Sequence, residues 1–429
     1  MLQLNEVRGI KIERMPIPPT RSESSLAEFA RRLRGFPRHL EQPFPVPRSH
    51  RPMFEETVRG CAEALAAVAR HLFGAKPARW RRMQPPEALV GVLGSPLPAA
   101  PLPFFRLDAH FDPDRGSLDI LEFNCADPSG IGLNDALIGM CREGRRRSSA
   151  EFLPMAATHL RTLRRAYAAQ RRSAQCGRRK GLFLLIDPQS PTASDFLCLL
   201  RALSELAGPV ELVRPEDVDL IPSGSLVLHD YIYELIDAPD KELSRAWRKR
   251  FTDGDLCMVT SPHANVLESK GVLEFLTSPR WAALFSPAVR RILRRVSWTR
   301  RVSERKTDLD GREVDLPAFI AKNKAGLVLK PCYGYGGQDV LVGRDATTSR
   351  WEAALERALS EPLRWAVQRR SPPGRTDLPG GPHAVLSLWG HDRSLSGIFA
   401  RLSGASTINV RTGARLAVGA FIPQTTRTR

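Results

Sequence analysis

The sequence predicts an α/β protein with mixed α+β lobes, and three stretches carry that prediction. Residues 181–188 (GLFLLIDP) are a short apolar run ending in Asp-Pro, which is typical of a buried strand. Residues 195–208 (DFLCLLRALSELAG) predict a helix that ends at a glycine. Residues 106–124 (RLDAHFDPDRGSLDILEFN) alternate apolar and polar residues around a turn-forming segment, which predicts a hairpin. Strands alternating with helices favour the α/β class.

Four regions follow one another along the chain. Residues 1–100 are predicted to be helical with loops, because residues 54–74 (FEETVRGCAEALAAVARHLFG) repeat apolar residues at helical spacing. Residues 101–180 hold the hairpin and further helices. Residues 181–275 show a βαβ-like, Rossmann-like alternation. Residues 276–429 mix strands with short helices.

Composition places the chain among ordinary globular proteins. It has 429 residues, 42% of them hydrophobic, and the first residues lack the apolar segment of a signal peptide. We also find no apolar stretch long enough to span a bilayer, so we expect a soluble, cytoplasmic protein without a membrane partner. The seven cysteines form no CxxC pair, which indicates reduced thiols rather than a disulfide framework or a zinc site.

The formal net charge of +18 comes mainly from arginine and is concentrated in two clusters. Residues 145–180 and 290–306 contain most of the paired arginines, interspersed with aliphatic residues. The clusters lack the aromatic residues of a single-strand stacking platform, so we predict solvated helix surface and consider a nucleic-acid partner unlikely. The same positive field would attract small anionic substrates.

The hairpin sets acidic residues against each other. With the turn near Arg115, Asp108 lies opposite or nearly opposite Glu122, and Arg106 lies near Asn124. Carboxylates that face each other on paired strands repel unless a cation lies between them. Oxygen donors of Asp, Glu and Asn suit Mg²⁺, whereas the simpler alternative is a solvated amphipathic hairpin.

A second informative stretch, residues 326–343 (GLVLKPCYGYGGQDVLVG), places a lysine at the end of an apolar strand. Lys330 is followed by Gly334, Gly336 and Gly337, which let backbone N–H groups approach phosphate oxygens closely. It matches neither the Walker pattern nor the dinucleotide fingerprint. The alternative is a glycine-rich hairpin with a surface lysine.

Together, LVLKPCYGYGGQDVLVG and the upstream LDILEFN resemble the ATP-grasp superfamily in its circularly permuted form. The chain is similar to the synthetase domain of glutathionylspermidine synthase and its uncharacterised relatives over most of residues 100–418. In that group the carboxylate and ExN elements precede the lysine and the glycine loop, as they do here. The resemblance implies an ATP-grasp fold in permuted order, with a helical N-terminal region and nucleotide-binding lobes in residues 276–429.

The resemblance also implies further site residues. Lys270 matches a second nucleotide-contacting lysine, Gln368 the adenine-contacting hinge, and Arg401 a late arginine that faces phosphate or carboxylate. Asp230 and Tyr233 match polar residues on a preceding strand, and Asn409 follows near a reduced glycine element. The chain departs from the pattern at Arg369, where an acidic residue is usual, and in RTGAR, which lacks a double glycine. Each position also has a purely structural alternative.

The implied function is that of an ATP-dependent carboxylate-amine ligase that uses ATP and Mg²⁺ and passes through an acylphosphate. The implied roles are Mg²⁺ ligation by Asp108, Glu122 and Asn124, and binding of the acylphosphate or carboxylate by Arg106 and Arg401. Small carboxylates and amines would be the substrates. Alternatives are a phosphotransferase on the same fold and a non-catalytic basic binding protein.

Overall fold

The computed structural model describes most of the chain after residue 36. The described residues are 37–74, 79–95, 97–98, 100–126, 128–144, 149–172, 181–185, 192–208, 210–213, 215–229, 241–334, 337–405, 408 and 413–423. Helices and strands both occur along these residues, which confirms the mixed α/β class.

Strands of these residues are β1 Phe44–Pro47, β2 Phe104–Asp112, β3 Ser117–Asn124, β4 Glu151–Phe152, β5 Leu182–Leu185, β6 Glu211–Val213, β7 Leu226–His229, β8 Cys257–Met258, β9 Thr299–Arg301, β10 Lys306–Leu309, β11 Arg312–Asp315, β12 Leu327–Pro331, β13 Leu341–Val342, β14 Trp365–Arg369, β15 Gly374–Arg375, β16 His383–His391, β17 Ser394–Ser403 and β18 Arg415–Ile422.

The α-helices are α1 Arg51–Phe73, α2 Glu87–Val90, α3 Ile131–Gly144, α4 Ala156–Arg172, α5 Ala193–Ala207, α6 Lys241–Thr252, α7 Pro262–Leu267, α8 Val272–Thr277, α9 Pro287–Leu293, α10 Leu316–Lys322 and α11 Thr348–Ser360. None of these helices is both long and apolar enough to cross a membrane.

The largest sheet has the order β1-β18-β17-β16-β2-β3, with β15 paired to β16 and β4 paired to β18. Its strand pairs are antiparallel except for β1 with β18. Both faces are covered: the ring of Phe54 in α1 meets Phe111 edge-on at 5.0 Å on one face, and Phe104 meets His159 of α4 on the other at 4.7 Å. The predicted hairpin is thus confirmed, with β3 at the edge of a sheet that is covered on both faces.

The predicted helix in residues 54–74 is confirmed as part of α1. Its apolar side chains recur at three- and four-residue intervals and are buried, as an amphipathic helix requires. At Gly60 a Cβ atom would lie 2.3 Å from Ile292 in α9, so the glycine permits a close helix contact that any larger residue would block.

Strands β5 to β8 form a separate parallel sheet in the order β6-β5-β7-β8. Helix α5 follows β5 and ends before Gly208, whose φ of 84° suits a glycine. The predicted strand at 181–188, the helix ending at Gly208 and the βαβ-like alternation are therefore confirmed within the described residues. This unit shares one apolar core with α3, α4 and the second face of the large sheet.

A third sheet, β13-β12-β14-β9, is antiparallel and packs on α10 and α11. Asp315 and Thr347 cap these two helices by accepting hydrogen bonds from the backbone N–H groups of Ala318 and Arg350. The predicted strand ending at Lys330 is observed as β12. The region boundaries at 100, 180 and 275 stay predictions.

The second arginine cluster is only partly solvated. Arg290, Arg291 and Arg294 are exposed, as predicted. Arg300 and Arg301 are buried in β9, so the prediction of a solvated helix surface is wrong there. Each has a carboxylate partner, Asp308 for Arg300 and Glu274 for Arg301, which explains how these charges tolerate burial.

Two buried histidines join α4 to the end of β16. His159 Nδ1 lies 3.0 Å from His391 Nε2, and His391 Nδ1 lies 2.5 Å from the hydroxyl of Ser396. Burial lowers the pKa of His391 to about 3, with a smaller effect from Arg161, and burial beside His391 lowers the pKa of His159 well below its ordinary value. Both rings therefore stay neutral in the folded protein over the range in which an unfolded histidine gains a proton.

We expect the free energy of unfolding to fall as the pH drops from about 6.5 towards 4, because the unfolded chain takes up protons that the folded chain excludes. Each such histidine adds a slope of about 1.4 kcal/mol per pH unit in that range. Urea unfolding at pH 7, 6 and 5 should show a smaller slope for His159→Gln than for the wild type.

As a control, Phe399→Leu removes an apolar group that packs edge-on against Trp389. It should lower the stability at all three pH values and leave the slope unchanged. An equal slope in the wild type and His159→Gln would contradict the assignment of neutral, buried rings.

Candidate active site

The hairpin β2–β3 has the register that the sequence predicts. Asp108 pairs with Glu122 and Arg106 pairs with Asn124. The register shifts between Asp108 and Ala109, the latter pairing with Ile120, so that Leu121 lies at an irregularity in the ladder. The two carboxylates are therefore neighbours across one strand pair, and like charges in that position need cations close by.

The protein itself supplies cations to Asp108. Arg106 donates from Nε to Oδ1 at 3.0 Å and from Nη2 to Oδ2 at 3.1 Å, and Arg401 Nη2 lies 2.7 Å from Oδ2. The hydroxyl of Ser387 donates to Oδ1 at 2.6 Å, and the amide nitrogen of Asn124 donates to Oδ2 at 3.1 Å. Five donors thus surround the two oxygens of one buried carboxylate.

These contacts determine the charge of Asp108. The side chain is almost fully buried, which by itself would raise its pKa. Arg106, Arg401 and the hydroxyl of Ser387 outweigh burial and hold the pKa of Asp108 well below its usual range. Asp108 is therefore ionised, and the two guanidinium groups have a fixed anionic partner.

Glu122 faces a different cation. Its carboxylate lies 3.7 Å from Nζ of Lys270, and the Glu122 side chain is 28% exposed. Lys270 Nζ also donates to the carbonyl oxygen of Gly334 at 2.8 Å, and its backbone N–H donates to the carbonyl of Cys332 at 2.9 Å. Lys270 thus connects the hairpin to the start of the glycine turn, immediately before α8.

Lys330 is held by Gln368 on the neighbouring strand β14. Its Nζ donates to Oε1 of Gln368 at 2.7 Å. The amide nitrogen of Gln368 donates to the carbonyl of Leu121 at 3.0 Å and to the hydroxyl of Thr299 at 3.1 Å. Gln368 is 2% exposed, so the structure places it between the hairpin and Lys330, where it links the third sheet to the first.

Burial lowers the pKa of Lys330. Glu122 and Asp108 oppose this effect, whereas the positive charge of Lys270 adds to it. Lys330 therefore lies within electrostatic range of both carboxylates and of the second lysine.

The glycine turn is described in part. Gly337 has a φ of 73°, a conformation that favours glycine, and Gly334 presents its carbonyl to Lys270. Gly336 lies outside the described residues. So do Asp230, Tyr233 and Asn409, which the resemblance also singled out.

Two residues that contribute to the site are not predicted by the sequence analysis. Ser387 is a lone hydroxyl in the apolar strand HAVLSLWGH and pairs with Asp108 in the register of β16 and β2, so its polarity was the available signal. Glu268, two residues before Lys270, accepts hydrogen bonds from the backbone N–H groups of Cys125 and Ala126 at 3.1 and 3.0 Å. It fixes the chain just after Asn124.

The oxygen atoms of Asp108, Glu122 and Asn124 can be compared with the ligands that Mg²⁺ prefers. The described residues contain no cluster of three or more His, Cys, Asp or Glu side chains that could hold a metal ion. Both oxygens of Asp108 are occupied, whereas the carboxylate of Glu122 and the amide oxygen of Asn124 are the remaining donors of the predicted set. Mg²⁺ often takes one or two protein ligands and completes its shell with waters and phosphates, so these two donors fit it and Asp108 does not.

The site as a whole favours anions. Among the described residues, four cationic side chains, Arg106, Lys270, Lys330 and Arg401, interact with the two carboxylates of the hairpin, Asp108 and Glu122. An excess of positive charge in a partly buried place attracts phosphates and carboxylates more strongly than the same charges would at an exposed surface.

Comparison with solved structures finds similar chains of low sequence identity. A glutathione synthetase-like effector from Globodera pallida in its apo form has a TM-score of 0.53 and 11% identity over 90% of this chain and 91% of that chain. A putative gamma-glutamylcysteine synthetase from Methylobacillus flagellatus KT has a TM-score of 0.40 and 11% identity over 74% of this chain and 80% of that chain. No protein-family model and no curated protein matches the sequence. The first similarity shows that the chain shares the overall fold of the effector.

We expect Lys270→Met to raise the pKa of Lys330, because the substitution removes a neighbouring positive charge, and Glu122→Gln to lower it further, because that substitution removes a stabilising negative charge. NMR titration of the protein labelled with ¹³C at the lysine Cε atoms would measure both shifts.

Lys249→Met is the matched control, because Lys249 lies exposed on α6 and pairs with Asp253. It should leave the titration of Lys330 unchanged. If Lys270→Met also has no effect, the two lysines do not share one electrostatic site.

Proposed function

We propose that the chain is an ATP-dependent carboxylate-amine ligase with an ATP-grasp fold in circularly permuted order. The observation that carries the proposal is the convergence of the hairpin β2–β3, Lys270, Lys330 and Arg401 in one network of contacts. These residues are far apart in sequence, and the carboxylates precede the lysines and the glycine turn along the chain.

The nucleotide would lie beside the lysines and the glycine turn. Lys270 and Lys330 would contact its phosphates, and the turn from Gly334 through Gly336 to Gly337 would offer backbone N–H groups. Gln368 would act chiefly by holding Lys330, since its amide group already bonds to Lys330, Leu121 and Thr299. Its contact with adenine stays a prediction.

Glu122 and Asn124 are the residues that would hold Mg²⁺. When bound there, Mg²⁺ would supply neutralisation of the charge that develops on the phosphoryl group during transfer. Asp108, the third predicted ligand, contributes instead through the arginines that it binds.

Arg401 would bind the substrate carboxylate or the acylphosphate through its planar guanidinium group. Arg106, for which the same role is predicted, already bonds within the protein through all three guanidinium nitrogens. In the proposed reaction the substrate carboxylate attacks the γ-phosphorus of ATP, the bond from that phosphorus to the ADP oxygen breaks, and an acylphosphate forms. The amine then attacks the acyl carbon, phosphate leaves, and the amine loses a proton. The fixed cations need little rearrangement as negative charge shifts between oxygens.

The description of the Globodera pallida protein as a glutathione synthetase-like effector supports the class of the proposed reaction, because a synthetase of that kind joins a carboxylate to an amine. The substrates that we propose are small molecules, with no membrane or nucleic-acid partner and a cytoplasmic location.

The test is ADP release by the purified protein with ATP and Mg²⁺ against a panel of amino acids, small peptides and polyamines. We expect release that requires both an acid and an amine, and a loss of about 100-fold or more in Glu122→Gln/Asn124→Ala, because electrostatic stabilisation of the transferring group is removed.

Glu313→Gln serves as the control, since the Glu313 side chain is exposed and forms an ion pair with the exposed Lys306. It should keep the wild-type rate. ADP release with an acid alone would indicate a phosphotransferase, and equal release by the wild type and the double variant under every pairing would contradict the proposal.

A further inference from the structure

Asp108 accepts more hydrogen bonds than a carboxylate could retain while it also bound a metal ion. Each of its oxygens accepts from at least two donors, and two of the donor groups are positively charged guanidinium groups. A metal ion at this carboxylate would have to displace several of these donors. It would also leave Arg106 and Arg401 largely buried without their counter-charge, which is costly.

Arg106 and Arg401 differ in what remains available for a ligand. Arg106 uses Nε and Nη2 on Asp108, donates from Nη1 to the carbonyl of Ser129 at 2.8 Å, and lies 5.7 Å from the ring centre of Trp389. Each of its three guanidinium nitrogens therefore has a partner within the protein. Its role in this arrangement is to fix Asp108 and the segment around Ser129.

Arg401 is held at one nitrogen only. Nη2 lies 2.7 Å from Asp108 and 3.5 Å from the hydroxyl of Ser387, whereas Nε is buried and has no hydrogen-bond partner among the described residues. A buried N–H group without an acceptor is unfavourable unless a ligand completes it. Arg401, whose side chain is 17% exposed, therefore has hydrogen-bonding capacity left for an anionic group.

We infer that Asp108 is a positioning residue rather than a metal ligand: with Arg106 and Ser387 it orients Arg401, which binds the carboxylate or phosphate group that reacts. This inference rests on the proposed function and divides the predicted residues into two sets. Glu122 and Asn124 form the metal set, and Asp108, Arg106, Ser387 and Arg401 form the anion-binding set.

The charges support this division. The anion-binding set already has two cations for one carboxylate, so a divalent ion placed there would meet strong repulsion. Glu122, in contrast, has Lys270 at 3.7 Å as its one ion-pair partner among the described residues, and its side chain is partly exposed, so a hydrated ion can approach it.

A matched pair of carboxylate-to-amide substitutions tests the inference. The probe is Mn²⁺, and its affinity for the protein in the presence of ADP is measured from the EPR signal of free Mn²⁺. We expect Glu122→Gln to weaken Mn²⁺ binding by about 10- to 100-fold. We expect Asp108→Asn, which alters the hydrogen bond from Asn124 but removes no metal ligand, to weaken Mn²⁺ binding far less than Glu122→Gln does while ligase activity falls.

The link to Arg401 is tested by combining substitutions. If Asp108 acts through Arg401, the double variant Asp108→Asn/Arg401→Gln should lose no more activity than Arg401→Gln alone. Once Arg401 is replaced, Asp108 has no guanidinium group left to orient, so replacing Asp108 as well removes nothing further. Should Asp108→Asn not fold, Ser387→Ala is the milder variant, since it removes one hydrogen bond to Asp108 and no charge. It should reduce activity without changing Mn²⁺ binding.

The outcomes separate this inference from the proposed function. Equal weakening of Mn²⁺ binding by Asp108→Asn and Glu122→Gln would overturn the inference and leave the ligase proposal intact. A wild type that binds no Mn²⁺ with ADP would overturn the ligase proposal. In that case the interaction between Asp108 and Arg401 can still be tested from the urea unfolding midpoints of Asp108→Asn, Arg401→Gln and the double variant. If the midpoint shift of the double variant equals the sum of the two single shifts, the inference is overturned as well.

Discussion

The site depends on one electrostatic constraint, the placement of Asp108 and Glu122 opposite each other on paired strands. Two carboxylates in that position are stable only if cations neutralise them, and the more deeply they are buried the nearer those cations must be. The fold meets the requirement with Arg106 from the same strand, Arg401 from β17 and Lys270 from the segment before α8. The cations that stabilise the hairpin are therefore also the groups that we propose to attract an anionic substrate.

Rigid elements hold these groups in place. The hairpin belongs to a sheet that is packed on both faces, and Glu268 fixes the residues after Asn124. Gln368 bonds the third sheet to the carbonyl of Leu121, at the irregularity in the hairpin ladder. The glycine turn after Lys330 and the carboxylate pair, which lie on different sheets, are thereby linked, and such fixed placement is the condition for catalysis by positioning.

Much of this arrangement could be predicted from local patterns. Alternating apolar residues around a turn specify the hairpin and its register, and an apolar strand followed by glycines specifies the Lys330 turn. The partners that come from distant strands could not be predicted in the same way. The sequence around Ser387 and around Glu268 does not indicate which strand or loop each residue contacts. Arg300 and Arg301 are predicted to be solvated because the sequence does not show that Asp308 and Glu274 lie beside them in the fold.

The central claim is that a nucleotide site lies between the hairpin and the glycine turn. It rests on the order of the site elements along the chain and on their convergence in the fold. A crystal structure with ADP and Mn²⁺, with Mn²⁺ located by its anomalous scattering, tests that claim most directly. We predict an anomalous peak beside Glu122 and Asn124, ADP phosphates next to Lys270 and Lys330, and Asp108 still bound to both arginines. Nucleotide bound elsewhere, or an anomalous peak distant from the hairpin, would contradict the account.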